Sequence, residues 1–134
     1  MIQEIAKFIE TRTSFVVGTT LRVGRRTQNS PDRCQVVIES AGGGVYFDLP
    51  DRVDALIQVI SRATTQMDAR DDAWEIHKAI HGAKGWTLPV ITSGIIYEAM
   101  TIEAVASPQY IGEDEKRRHE YSTNYIWRIK NALL

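Results

Sequence analysis

"VDALIQVISRATTQMDARDDAWEIHKAIHG", residues 53–82, changes its period halfway along and so decides the fold. Its first part, "VDALIQVISRAT", is dense in β-branched and apolar residues and polar only at intervals, the pattern of a central strand covered on at least one face. Its second part, "DARDDAWEIHKAIHG" over 68–82, places Ala69, Ala73, Ile76 and Ile80 in one narrow helical sector, with Trp74, His77 and His81 on the flank. Asp68, Asp71 and Asp72 stand near the start, where negative charge suits the helix dipole, and Gly82 stands where a left-handed cap is wanted. A buried strand running into an amphipathic helix of about 20 Å predicts a helix laid across a sheet.

Outward from this segment, Ile2, Ile5, Ala6, Phe8 and Ile9 recur at helical spacing and predict a short helix over 2–12. "TTLRVG" (19–24) and "RCQVVIE" (33–39) read as strands, and the turn chemistry of Asn29, Ser30, Pro31 and Asp32 between them predicts a hairpin. "ESAGGGVYFDLPD" (39–51) reads as a loop, since three consecutive glycines weaken regular structure and Pro50 breaks any element at its far end. "KGWTLPVITSG" (84–94) is a second loop, before two long strands, "IIYEAMTIEAVA" (95–106) and "HEYSTNYIWRIK" (119–130). The charged segment "GEDEKRRHE" (112–120) joins them, with alternation stopping near Ser107 and resuming near Tyr121. No internal repeat, low-complexity tract or long linker divides the chain, so a single domain over 1–134 is expected.

The 134 residues carry a net charge of −1, without the basic excess of a protein that gains affinity by neutralising phosphates. Cys34 is alone and lies in an alternating apolar setting, which predicts a buried strand thiol. The stretch "MIQEIAKFIE" has early acidic residues and no long apolar region before a small-residue cleavage site, unlike a signal peptide. No apolar run approaches the roughly 20 residues of a membrane span, so no membrane partner is expected.

Chemistry is sparse. His77 and His81, four apart on one helix face, could reach one metal ion, but Glu75 does not follow the first histidine as a zinc-protease base would. "GTTLRVG" and "AGGG" lack the Lys followed by Ser or Thr of a phosphate loop, and no Gly-x-Ser-x-Gly elbow is present. Arg22, Arg25 and Arg26 form a small basic cluster suited to a solvated hairpin face. Catalytic, metal and cofactor residues are therefore expected to be none, and surfaces rather than pockets are expected to do the work.

One resemblance spans residues 42–130. Ile57, Gln58, Val59 and Arg62 come after a glycine loop; Ala69, Ala73, Ile76, His77 and Gly82 mark the helix; Pro108, Ile111, Gly112, Asp114, Glu115, Arg118, Glu120 and Asn124 lead into an aromatic strand. In this order the elements resemble the small tail terminator and minor capsid proteins of tailed bacteriophages. The chain departs from the pattern in His81 directly before Gly82, in Ala79 and Ile80, and in acids 113–115 running straight into Lys116, Arg117 and Arg118.

The resemblance implies an α+β fold, a mainly antiparallel sheet of about four to five strands with two helices packed on it. It also implies a structural virion protein and no enzyme: a homo-oligomeric ring of about six copies that caps the tail tube protein, stops its polymerisation and meets the head-tail connector protein. DNA would pass through the lumen without specific binding, and the protein would sit at the head-proximal end of the tail after assembly in the host cytoplasm. Assembly-interface candidates are Glu113, Asp114, Glu115, Lys116, Arg117 and Arg118 at the charged tip, and Gly42, Gly43 and Gly44 in the glycine loop. Other readings are a different head-tail completion or stopper protein, a small metal-dependent hydrolase using His77 and His81, and a regulatory or toxin-neutralising protein that binds one partner.

Overall fold

The structure, a computed structural model, describes residues 1–26, 30–40, 44–46 and 49–131, with the side chains of all but Tyr46, Leu49 and Pro50. Along the chain come α1 (Ile2–Arg12), β1 (Leu21–Val23), β2 (Cys34–Ser40), β3 (Val45–Tyr46), β4 (Leu49–Ala63), α2 (Gln66–Ile80), β5 (Lys84–Thr87), β6 (Tyr97–Ala104), β7 (Gln109–Glu113) and β8 (His119–Asn131). The strands form one sheet ordered β1-β2-β4-β8-β6-β5, with β3 also beside β4 and β7 also beside β8.

The spine is the antiparallel pair β4–β8, in register from Arg52 opposite Lys130 to Ala63 opposite His119. Because side chains alternate across a strand, the two strands send Ile57, Val59, Tyr125, Trp127 and Ile129 to one face, where all are buried. Both helices pack on that face: Ile5, Phe8 and Ile9 of α1 and Ile76 and Ile80 of α2 join those residues in one core cluster. The Phe8 and Trp127 rings meet edge to face, with centroids 5.8 Å apart. The opposite face is mixed: Gln58 Nε2 donates to Ser122 Oγ at 2.9 Å and Arg128 pairs with Glu103 at 3.1 Å, beside half-buried Leu56, Ile60 and Ile126.

The helix of residues 68–82 starts two residues earlier than expected, at Gln66, because Thr65 Oγ1 accepts the Asp68 N–H as an N-cap. It ends at Ile80, and Gly82 takes the left-handed backbone with φ 82°. Cys34 is buried, with Sγ 3.7 Å from the Thr19 carbonyl.

Five expectations need correction. The loop read over 84–94 opens with a strand, β5 (Lys84–Thr87), because β6 supplies its hydrogen bonds. The sheet has eight strands among the described residues, not four to five, because three short edge segments, β3, β5 and β7, join the long strands. The expected hairpin of "TTLRVG" and "RCQVVIE" is instead a parallel pair, Leu21 opposite Gln35 and Val23 opposite Val37. The chain turns out of β1 at Gly24, φ 80°, and the Arg26 guanidinium donates to the Cys34 and Ile60 carbonyls; the chain then re-enters beside the start of β1. The loop read over 39–51 contains β3 and the start of β4; Pro50 is tolerated because pairing with β8 begins only at Arg52. The long charged connection shrinks as well, since Gln109–Glu113 pairs with β8 and the loop proper is 114–118.

Candidate assembly surface

The β7–β8 tip is organised by one carboxylate. Asp114 Oδ1 accepts the backbone N–H of Lys116 and of Arg118, both at 2.9 Å, and Oδ2 accepts Arg118 Nε at 2.7 Å. Such closure by an aspartate onto the backbone two residues on is a local turn device. It coexists with Arg117 at φ 60°, a left-handed conformation uncommon outside glycine. Arg118 then reaches across to Asp32, Nη1 to Oδ1 at 3.1 Å, tying the tip to the segment that enters β2.

The candidates at the tip therefore divide. Asp114 and Arg118 are largely covered and face each other, whereas Glu115, Lys116 and Arg117 are exposed. Glu113 lies 3.8 Å from His119 Nε2, and His119 Nδ1 is 2.9 Å from the Tyr110 hydroxyl. Gly42 and Gly43 lie outside the described residues. Gly44 abuts β4, its carbonyl accepting the Asp54 N–H at 2.8 Å, well removed in the fold from the tip.

Partial desolvation acts to raise the Asp114 pKa, but the hydrogen bonds from the Arg118 backbone, the Arg118 guanidinium and the Lys116 backbone outweigh it, so the carboxyl lies below its ordinary value. A depressed carboxylate contributes stability above its unfolded pKa of about 3.9, lost as pH falls through the lower folded value. Acidification below about pH 4 is therefore expected to open this turn. Protection of the Lys116 and Arg118 amides against exchange, relative to the intrinsic rate at each pH, should fall in that window for the parent, while Asp114→Asn should already show lower protection at neutral pH. Unchanged exchange in the Asn variant at neutral pH would show that the carboxylate does not hold the turn.

A family model for bacteriophage tail terminator proteins matches residues 8–131, from the middle of α1 to the end of β8. The chain belongs to this family. Its membership implies a structural component of the phage tail rather than an enzyme. No curated protein matches the chain.

The remaining sequence candidates of this terminator family member take ordinary structural places. The His77 and His81 rings stack at 4.9 Å between centroids and 9° between planes, with Trp74 edge-on to His77. His81 Nδ1 accepts the Ala104 N–H, and desolvation, then His81, pushes the His77 pKa below its usual value. Among the described residues no group of three or more His, Cys, Asp or Glu side chains could hold a metal ion. Arg22, Arg25 and Arg26 do not act as one cluster: Arg26 is spent on strand carbonyls, while Arg25 stays exposed.

Two arrangements had no local signal. Buried Asp72 accepts a bidentate pair from Arg33 at 2.8 Å and a bond from Gln35 Nε2 at 3.1 Å, which locks α2 onto the start of β2. At the opposite edge of the sheet, at β5, Arg12 lies over the Trp86 ring, 3.9 Å from its centroid. Only spacing in three dimensions unites these residues.

Proposed function

We propose that the protein caps the tail tube as a ring of about six copies, ends tube growth and offers its free face to the head-tail connector. The observation that carries this reading is the family match over nearly the whole chain. Further support comes from charge. The near-neutral balance suits a lumen through which DNA moves without being held, since each neutralised phosphate would add salt-dependent affinity. A subunit of a closed ring needs two different complementary patches, and closure removes the free ends that would otherwise propagate. On this reading the exposed tip charges Glu115, Lys116 and Arg117, with Glu113 beside them, set partner choice and register more than raw affinity. The protein works at the head-proximal end of the tail after assembling in the host cytoplasm.

The test is made on phage particles. Tails assembled without this protein should be over-long and fail to join heads. Imaging of tails carrying it should show sixfold symmetry at the tube end. Normal tail length and head joining in its absence, or a threefold or fivefold end structure, would remove the reading. Binding to the connector with none to the tube would transfer the chain to the completion or stopper role.

A further inference from the structure

One row of the sheet runs without a break from edge to edge at its upper end: Val45 of β3 opposite Val53, Val53 opposite Ile129, Ile129 opposite Ala99, and Ala99 opposite Trp86 of β5. No strand lies beyond β3 or β5 among the described residues, and all four residues of β5 are exposed. Both ends of the row expose apolar surface: Val45 is 81% exposed, and Trp86 is 46% exposed, with Arg12 over its ring and Phe8 nearby. The segment that follows β5 in the chain carries exposed Val90, Ile91 and Ile95. Open edges with apolar ends are templates for adding a strand from another chain.

The two ends match each other. Each pairing along the row is antiparallel, so directions alternate and β3 and β5 run the same way. Residues directly opposite in register project to one face, so Val45 and Trp86 share a face of the sheet. A second copy placed beside the first in the same orientation therefore brings its β3 parallel to β5 with Val45 against Trp86. The lower end of the sheet is less open, since the Leu21 N–H and C=O of β1 are already bonded by the Val16 and Gly18 backbone. We infer that copies of this chain join head to tail through these upper edges, β5 of one copy against β3 of the next, so that one sheet continues from subunit to subunit. This inference rests on the ring reading and names the surface that builds the ring.

Val45→Cys with Trp86→Cys tests it. Within one copy the two positions are four strand spacings of about 4.8 Å apart, roughly 19 Å, whereas a disulfide needs Cα atoms within about 6.8 Å. Any bond between them therefore joins two copies. Isolated tails carrying the double variant, treated with a mild oxidant, should give a covalent ladder ending at the closed ring, and each single variant should stay monomeric. Val45→Lys, at a solvent-exposed position that leaves folding intact, should weaken association about tenfold or more. Rings on the tail without a ladder, or Val45→Lys rings as stable as the parent's, would overturn the edge contact and leave the ring reading standing. A Trp86→Cys dimer that grows no further would replace it with a two-fold β5–β5 contact. Absence of any ring would overturn both.

Discussion

Replacing Ile76 by Asp is expected to lower stability by about 4 kcal/mol or more, enough to unfold much of the protein at 37 °C. Ile76 is fully buried where α2 meets the sheet and belongs to the same cluster as Ile57, Tyr125 and Trp127. A carboxylate there loses its water and gains no cation, since the Arg33 guanidinium is already committed to Asp72, a turn away along α2. Burial raises the pKa of the introduced carboxyl, so the deficit should shrink as pH falls below that raised value and the group becomes neutral. Denaturant unfolding at pH 7 and pH 5 measures both. His77→Ala, at a half-buried flank position, should cost far less and leave assembly intact. A mild Ile76→Asp effect, or an assembly defect in folded His77→Ala, would mean that the face of α2 has been assigned the wrong way round.

The second large effect concerns the charged tip. Replacing residues 114–118 by Asn-Gly puts a two-residue turn between Glu113 and His119, which are already opposite each other, so β7 and β8 should stay paired. The loss on folding is limited to the Asp114–Arg118 contacts and the Arg118–Asp32 pair, surface interactions worth about 1 kcal/mol or less each. Tail capping should nonetheless fall about tenfold or more, because Glu115, Lys116 and Arg117, the charges read as setting partner choice and register, go with the loop. Thermal unfolding beside an assay of tail length and head joining separates the two effects. Full capping by the shortened protein would make the tip a solvated turn and nothing else.

How much of the fold and the surface was legible depends on the range of the forces involved. The two helices are local objects, declared by apolar spacing at Ile5, Phe8 and Ile9 and at Ala69, Ala73, Ile76 and Ile80, and the structure has both. The long strands β4 and β8 alternate over enough residues to be read as well. The short strands were not readable. β5 and β7 are interrupted by glycines of positive φ, Gly85 and Gly112, and exist because a long strand supplies their hydrogen bonds. The parallel course of β1 goes with a contact between distant parts of the chain, Arg26 to the Ile60 carbonyl, that no local pattern announces. At the tip, the sign pattern of the charges was visible, but not that Asp114 would turn inward to Arg118 or that Arg118 would find Asp32. Apolar ends on a sheet row, Val45 and Trp86, acquire meaning only after register is known.

The β4–β8 spine also sets the order in which the molecule can be made. Its rungs join Ala63 to His119 and Arg52 to Lys130, with α2, β5, β6 and β7 all encoded between them. While a ribosome is still producing that interval, β4 can pair with β2 and receive α2, yet its other edge has no partner. Non-local pairing of this kind makes folding slow, on the order of milliseconds to seconds for sheet-rich domains, and leaves hydrophobic strand edges transiently open. Assembly-competent subunits thus become available only after β8 has been synthesised, and truncated nascent chains present a bare β4 edge prone to aggregation.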